Sequence, residues 1–60
     1  MQLSELKTYA EKLSNENPDH DEAIRDLYFL AQDEVESGES EQHECDLAIS
    51  DMDQLISSDE

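Results

Sequence analysis

The sequence has very few basic residues, since only Lys7, Lys12 and Arg25 oppose eighteen Asp and Glu residues, and its formal net charge is −15. From residue 26 to residue 60 there are twelve acidic residues and no basic one. A surface of this kind repels nucleic-acid phosphates and anionic membranes, and it attracts basic proteins. The composition therefore argues against direct binding of nucleic acid or membranes and predicts a protein partner with a basic surface.

Cysteine, glycine and proline occur once each, as Cys45, Gly38 and Pro18. A single cysteine excludes an internal disulfide bond, and we expect Cys45 to be a small buried apolar residue. No apolar run is long enough for a signal peptide or a membrane span, so the expected location is the cytoplasm. There is also no Gly-rich loop, internal repeat or strand-like alternation.

The apolar fraction is only 35% in a chain of sixty residues. This length allows one domain at most, near the lower limit for folding without a metal, a disulfide or a partner. Low apolar content with high net charge is typical of disorder, but here the apolar residues are sorted at helical spacing. The pattern therefore favours a folded helical chain, one too small for both a core and an enzyme pocket.

The central segment, from Asn17 to Gly38, has the clearest helical pattern. Asn17 suits an N-cap, Pro18 suits the first helical position, and Gly38 suits a left-handed stop. At about 100° per residue, the apolar residues form an arc of roughly 160°. They are Ala23, Ile24, Leu27, Tyr28, Leu30, Ala31 and Val35. An arc this wide predicts packing against more than one neighbour, with Leu27 as a core residue.

Two further amphipathic segments flank the central helix. In residues 1–14 the apolar side chains fall within about 120°; they are Leu3, Leu6, Tyr9, Ala10 and Leu13. Ser40 suits the N-cap of a third helix, from about Glu41 to Ile56. The apolar arc of this helix, also about 120° wide, holds Cys45, Ala48, Ile49, Met52, Leu55 and Ile56.

These patterns predict an all-α fold, a small three-helix bundle in which a helix–turn–helix hairpin packs against a third helix. The predicted helices cover residues of about 2–14, 18–37 and 41–56 within a single domain of residues 1–60, and residues 57–60 form a frayed tail. Two alternatives stay open: residues 1–14 remain loose, or dimerisation completes the core.

Metal binding and catalysis are not indicated. Oxygen-bearing side chains alternate in residues 15–21 as in an EF-hand loop, but His20 stands where that loop needs Gly and Asp26 replaces its bidentate Glu. His43 and Cys45 are two residues apart, a spacing that does not align two ligands on a helix. A chain this small offers little burial to raise the pKa of a carboxyl group for acid–base work. We therefore predict no metal, no cofactor and no catalytic residue.

Two apolar residues fall outside the predicted buried faces and are candidate binding residues. Phe29 projects into the opposite arc of the central helix, and Leu47 lies off the face of the third. An aromatic side chain among carboxylates suits an apolar anchor in an electrostatic interface. The predicted partner-binding residues are Phe29, Leu47, Asp26, Asp33 and Glu36. The alternative is that these are ordinary exposed side chains.

In its size, its start at Met1, its three short helices and its acid-rich second half, the chain resembles small acidic helical accessory proteins from early regions of temperate, lambda-like phages. The resemblance transfers no site residues. It implies a regulator or inhibitor that binds a host protein in the host cytoplasm. The leading function, which follows from the charge and from the displaced apolar residues, is an acidic module that binds a basic surface of a nucleic-acid-binding or other host protein. The alternative is a self-associating, homodimeric structural module whose charge serves solubility only.

Overall fold

A computed structural model describes residues 1–58, and the two residues that end the predicted tail lie outside the described residues. The elements are α1 (Leu3–Glu16), a 3₁₀ turn (Pro18–His20), α2 (Asp21–Glu36) and α3 (Glu41–Ser57). No strand occurs in this part of the chain, and the predicted all-α three-helix bundle is confirmed. Ser57, predicted to belong to the tail, is the last residue of α3.

α2 is the central helix of the bundle and packs against both α1 and α3, which contact each other less. The core takes residues from all three helices: Leu6, Ala10, Ile24, Ala31, Cys45, Ala48 and Met52. Partly buried apolar residues surround them, namely Leu3, Tyr9, Leu13, Leu27, Tyr28, Ile49, Leu55 and Ile56. The alternative that residues 1–14 stay loose is therefore wrong, because α1 contributes two core residues and three half-buried ones.

The start of α2 differs from the prediction. After Pro18 the chain makes a 3₁₀ turn, in which the His20 amide donates to the Asn17 carbonyl oxygen at 2.9 Å, and α2 begins only at Asp21. Asn17 therefore does not cap α2. It closes α1 instead, because its backbone amide and its side-chain Nδ2 both donate to the Leu13 carbonyl oxygen, at 2.8 and 3.1 Å.

The connection between α2 and α3 has the features predicted from Gly38 and Ser40. Gly38 has a φ of +110°, in the region that favours glycine, as predicted for a left-handed stop. The amides of Gly38 and Glu39 donate to the carbonyl oxygens of Val35 and Glu34, at 3.0 and 3.1 Å, which is the Schellman pattern. The Ser40 hydroxyl then accepts a hydrogen bond from the first turn of α3.

Two hydrogen bonds join α1 to α3, although these helices share fewer contacts. The Leu3 amide, in the first turn of α1, donates to Glu41 Oε2 at 2.7 Å, and the Tyr9 hydroxyl donates to Asp53 Oδ1 at 2.8 Å. A carboxylate at a helix N-terminus is favourable because free N–H groups and the positive end of the helix dipole meet there. Acidic side chains of α3 therefore help to position α1.

Three residues are placed differently from the sequence prediction. Leu30, predicted to lie on the buried face of the central helix, is 57% exposed, and Leu27 is only half-buried. Ser14, predicted to belong to a connector, lies inside α1 and is buried, and its hydroxyl has no hydrogen-bond partner among residues 1–58. Ser14 lies one helical turn after the buried Ala10 and so on the same side of α1. Packing of this side against α2 outweighs the preference of serine for turns.

Candidate protein-interaction surface

Phe29 is an exposed aromatic side chain whose ring contacts the ring of Tyr28, a residue packed against the core. It is 58% exposed, as its predicted direction away from the core requires. Its ring centroid lies 5.5 Å from that of Tyr28, with the ring planes at 59°. Because Tyr28 packs against the core, this tilted contact supports one side of Phe29 and leaves the rest of the ring to solvent.

A shallow depression on the outer side of α2 brings Phe29 together with the three predicted carboxylates. Asp26, Asp33 and Glu36 line it, with Leu30 and Gln32. Positions three, four and seven apart lie on one side of a helix, which is why α2 alone can form this surface. Four of the five predicted partner-binding residues therefore share one depression, and no basic residue lines it.

The fifth predicted residue, Leu47, lies elsewhere. It is 47% exposed on α3 and lines a groove between α2 and α3. Leu30 lines this groove as well as the depression that contains Phe29. Leu30, which the sequence placed on the buried face, therefore lies between Phe29 and Leu47 on the surface and lines the depressions of both.

Two adjoining depressions between α2 and α3 share Leu27, Leu30 and Asp51, and together they form what we call the α2–α3 groove, in which exposed leucines have an acidic rim. Its lining residues are Ala23, Asp26, Leu27, Leu30, Ala31 and Glu34 from α2, and Glu44, Leu47, Ala48, Asp51, Gln54, Leu55 and Ser58 from α3 and its end. All four charged residues in this set are acidic. α1 contributes none of the lining, so the groove lies on the side of the α2–α3 pair that α1 leaves uncovered.

The signal that could have found Leu30 is its place in the apolar arc of α2. It lies at one margin of an arc that is roughly 160° wide, whereas Ile24 and Ala31 lie near the centre. Helices that pack on such an arc bury the residues near its centre more completely than those at its margins. The width of the arc predicted more than one packing partner, and it could also have indicated that a residue at its margin stays at the surface.

A second groove, between α1 and α2, has a different charge. Lys7 and Arg25, two of the three basic residues, line it together with Glu11, Tyr28 and Phe29. Arg25 Nε also donates to Asp21 Oδ1 at 3.1 Å, an exposed pair one helical turn apart that contributes little to stability. These two basic residues therefore lie on the α1 side of α2, away from the acidic rim of the α2–α3 groove.

Two of the residues weighed as metal ligands, Asn17 and Asp21, make other contacts. No group of three His, Cys, Asp or Glu side chains within residues 1–58 is arranged to hold a metal ion. In the segment that resembles a calcium loop, Asn17 closes α1 and Asp21 binds Arg25. His43 is exposed, whereas Cys45 is fully buried, and this burial raises the pKa of its thiol, with nearby Glu41 adding to the effect.

No helix in residues 1–58 is both long enough and apolar enough to cross a membrane. No model of a protein family, no curated protein and no solved structure matches this chain.

Proposed function

We propose that this protein is an acidic interaction module that binds a basic surface of a protein partner and so acts as a regulator or inhibitor of that partner. The observation that supports the proposal most directly is the depression on α2, where the exposed Phe29 lies among Asp26, Asp33 and Glu36. An exposed aromatic side chain beside three carboxylates offers one apolar anchor and a local negative charge to a basic surface.

The two parts of this surface would act at different stages of binding. The net charge of −15 would steer a basic partner toward the bundle and raise the association rate, an effect that added salt screens. Phe29 would be desolvated only in the final complex, so its contribution would be to the dissociation rate. That the partner is a nucleic-acid-binding or other host protein remains a prediction, as does location in the cytoplasm.

Self-association is the second candidate function, and the exposure of Leu30 favours it. Leu30 belongs to the wide apolar arc of α2, and a second copy could cover it. Charge opposes this arrangement, because the two copies would bring acidic groove rims together. A mass measurement in solution at micromolar concentration and low salt distinguishes the two functions, and the interaction module is expected to be monomeric.

The partner can be sought by affinity capture from a bacterial lysate at low and high salt. The bait would be the wild-type protein or a variant with Asp26→Asn, Asp33→Asn and Glu36→Gln. We expect wild type to retain basic proteins at low salt and the variant to retain them poorly. A matched control, with Asp19→Asn, Asp46→Asn and Glu16→Gln, makes the same kinds of substitution at exposed positions outside the depression and should retain more.

Phe29→Ala then tests the anchor with the captured partner. We expect faster dissociation and a loss of at least about 1–2 kcal/mol of binding free energy, with circular dichroism unchanged. Equal binding by the wild type and the variant would contradict a role for Phe29. Equal loss in both triple variants would mean that only total charge matters, and no capture of basic proteins at low salt would contradict the proposed function.

A further inference from the structure

We infer that the α2–α3 groove docks an amphipathic, basic α-helix of the partner. This inference rests on the proposed function and makes it more specific, because it names the element that the partner contributes. The helix would place its apolar side on Leu30 and Leu47, and Lys or Arg side chains along its two edges would meet the acidic rim of the groove.

The shape of the groove fits one helix. On α2 its lining extends from Ala23 to Glu34, a distance of about 16 Å at 1.5 Å per residue. A docked helix of about three turns spans the same length. Because α1 lies on the other side of the α2–α3 pair, a helix in this groove would complete a four-helix arrangement and cover leucines that are 57% and 47% exposed.

The charge of the groove selects a basic helix. Asp26 and Glu34 lie on the α2 side, and Glu44 and Asp51 lie on the α3 side, so carboxylates border the leucines along both edges. No basic residue lines the groove. An amphipathic helix with apolar residues three and four apart and Lys or Arg on both sides of them matches this pattern, as in other helix-in-groove complexes.

Other occupants match the groove less well. A second copy of this chain would bring a surface with a net charge of −15 against the same carboxylates. An anionic lipid surface would be repelled for the same reason. A flexible basic segment without apolar residues could meet the rim but would leave Leu30 and Leu47 in water.

The test uses ¹⁵N-labelled protein and three synthetic peptides of twelve residues. The first is a Lys/Leu peptide with leucines three and four apart, the second has the same composition with the leucines spread around the helix, and the third contains only Lys, Ser and Gly. We expect the first to bind most tightly, by about tenfold over the second, and to become helical. Its amide shift changes should centre on Leu27, Leu30, Leu47 and Asp51.

Variants then locate the site. Leu30→Ala combined with Leu47→Ala should weaken the first peptide by at least about tenfold, as expected of central apolar contacts. The matched control is Gln42→Ala combined with Ser50→Ala, because both side chains are uncharged and exposed on α3 but lie outside the groove lining, and it should change the affinity by less than about threefold. Circular dichroism should show an unchanged fold in both variants.

The outcomes separate this inference from the function on which it rests. Equal affinity for the three peptides, or shift changes centred on Phe29 and Glu36, would overturn helix docking and leave electrostatic binding of basic partners standing. Failure of all three peptides to bind at low salt would contradict both. Dimerisation of the free protein that Leu30→Ala abolishes would assign the groove to a second copy and also overturn the inference.

Discussion

The two sides of α2 show how one amphipathic helix serves two purposes. Toward α1, Lys7, Glu11 and Arg25 mix both signs of charge around a groove next to the core. Toward the outer side of α3, the lining carries only acidic charge around partly exposed leucines. The two sides of α2 therefore differ in the sign of their charge. Apolar side chains are exposed on both sides, but only on the α3 side are all the charged residues around them acidic, which is the combination that a basic partner could use.

The largest expected effect comes from removing the most buried side chain of α2. Ile24 is fully buried, Leu27 is half-buried and Leu30 is 57% exposed. Ile24→Ala should lower the free energy of unfolding by about 2–5 kcal/mol, enough to unfold a chain of this size. Leu27→Ala should cost less, and Leu30→Ala less than about 0.5 kcal/mol.

Chemical denaturation followed by circular dichroism measures this series in one experiment. A loss for Leu30→Ala as large as that for Leu27→Ala would place Leu30 in the core. It would also remove the contrast between the two sides of α2, because both would then be packing surfaces.

A smaller effect of opposite sign is expected on the α1 side. The buried hydroxyl of Ser14 has no partner among the described residues, and serine is a weaker helix former than alanine. Ser14→Ala should therefore raise the free energy of unfolding by about 1 kcal/mol and the melting temperature by roughly 4–8 °C. Asn15→Ala on the exposed neighbour is the control for helix propensity alone. A lower melting temperature for Ser14→Ala would show that the hydroxyl has a favourable contact.

Alkaline pH should weaken the link between α1 and α3. The hydrogen bond from the Tyr9 hydroxyl to Asp53 raises the pKa of Tyr9, and burial adds to this shift. The neutral phenol is thus favoured in the folded state, and its contribution is fully present below the pKa of tyrosine in the unfolded chain, about 10. It is lost as pH rises through the raised pKa.

The measurement is the melting temperature between pH 8 and 11, where wild type should fall more steeply than Tyr9→Phe. The buried thiol of Cys45, whose pKa is also raised, destabilises both proteins in this range and so cancels in the comparison. Parallel curves for the two proteins would contradict a contribution from the Tyr9–Asp53 hydrogen bond.

A still smaller effect on the melting temperature should distinguish the neutralisation of Asp51 from that of Glu11. Asp51 lies in the wholly acidic α2–α3 groove, whereas Glu11 lines the groove that contains Lys7 and Arg25. Asp51→Asn should raise the melting temperature by roughly 1–2 °C at low salt, and Glu11→Gln should lower it or leave it unchanged. The difference should shrink at high salt, where screening is stronger. An equal rise for both would mean that repulsion is uniform over the bundle.

Helical periodicity and stop signals predicted the fold class and most of the core, because the position of a residue around a helix follows from its number alone. The same rule gave the direction of Phe29 and its proximity to Asp26, Asp33 and Glu36. Local rules were less reliable at the first connection. The 3₁₀ turn after Pro18 and the extra turn of α1 through Ser14 depend on how α1 meets α2, and propensity does not contain that information.

Local spacing was enough to predict the three amphipathic helices, the stop at Gly38 and the position of Phe29 among carboxylates. It was not enough to predict which part of the wide apolar arc of α2 is core and which part is surface. Ile24 and Leu30 are both apolar residues of that arc, yet one is fully buried and the other is mostly exposed. Burial depends on where α1 and α3 pack against α2, and these two helices leave the margin of the arc that contains Leu30 uncovered.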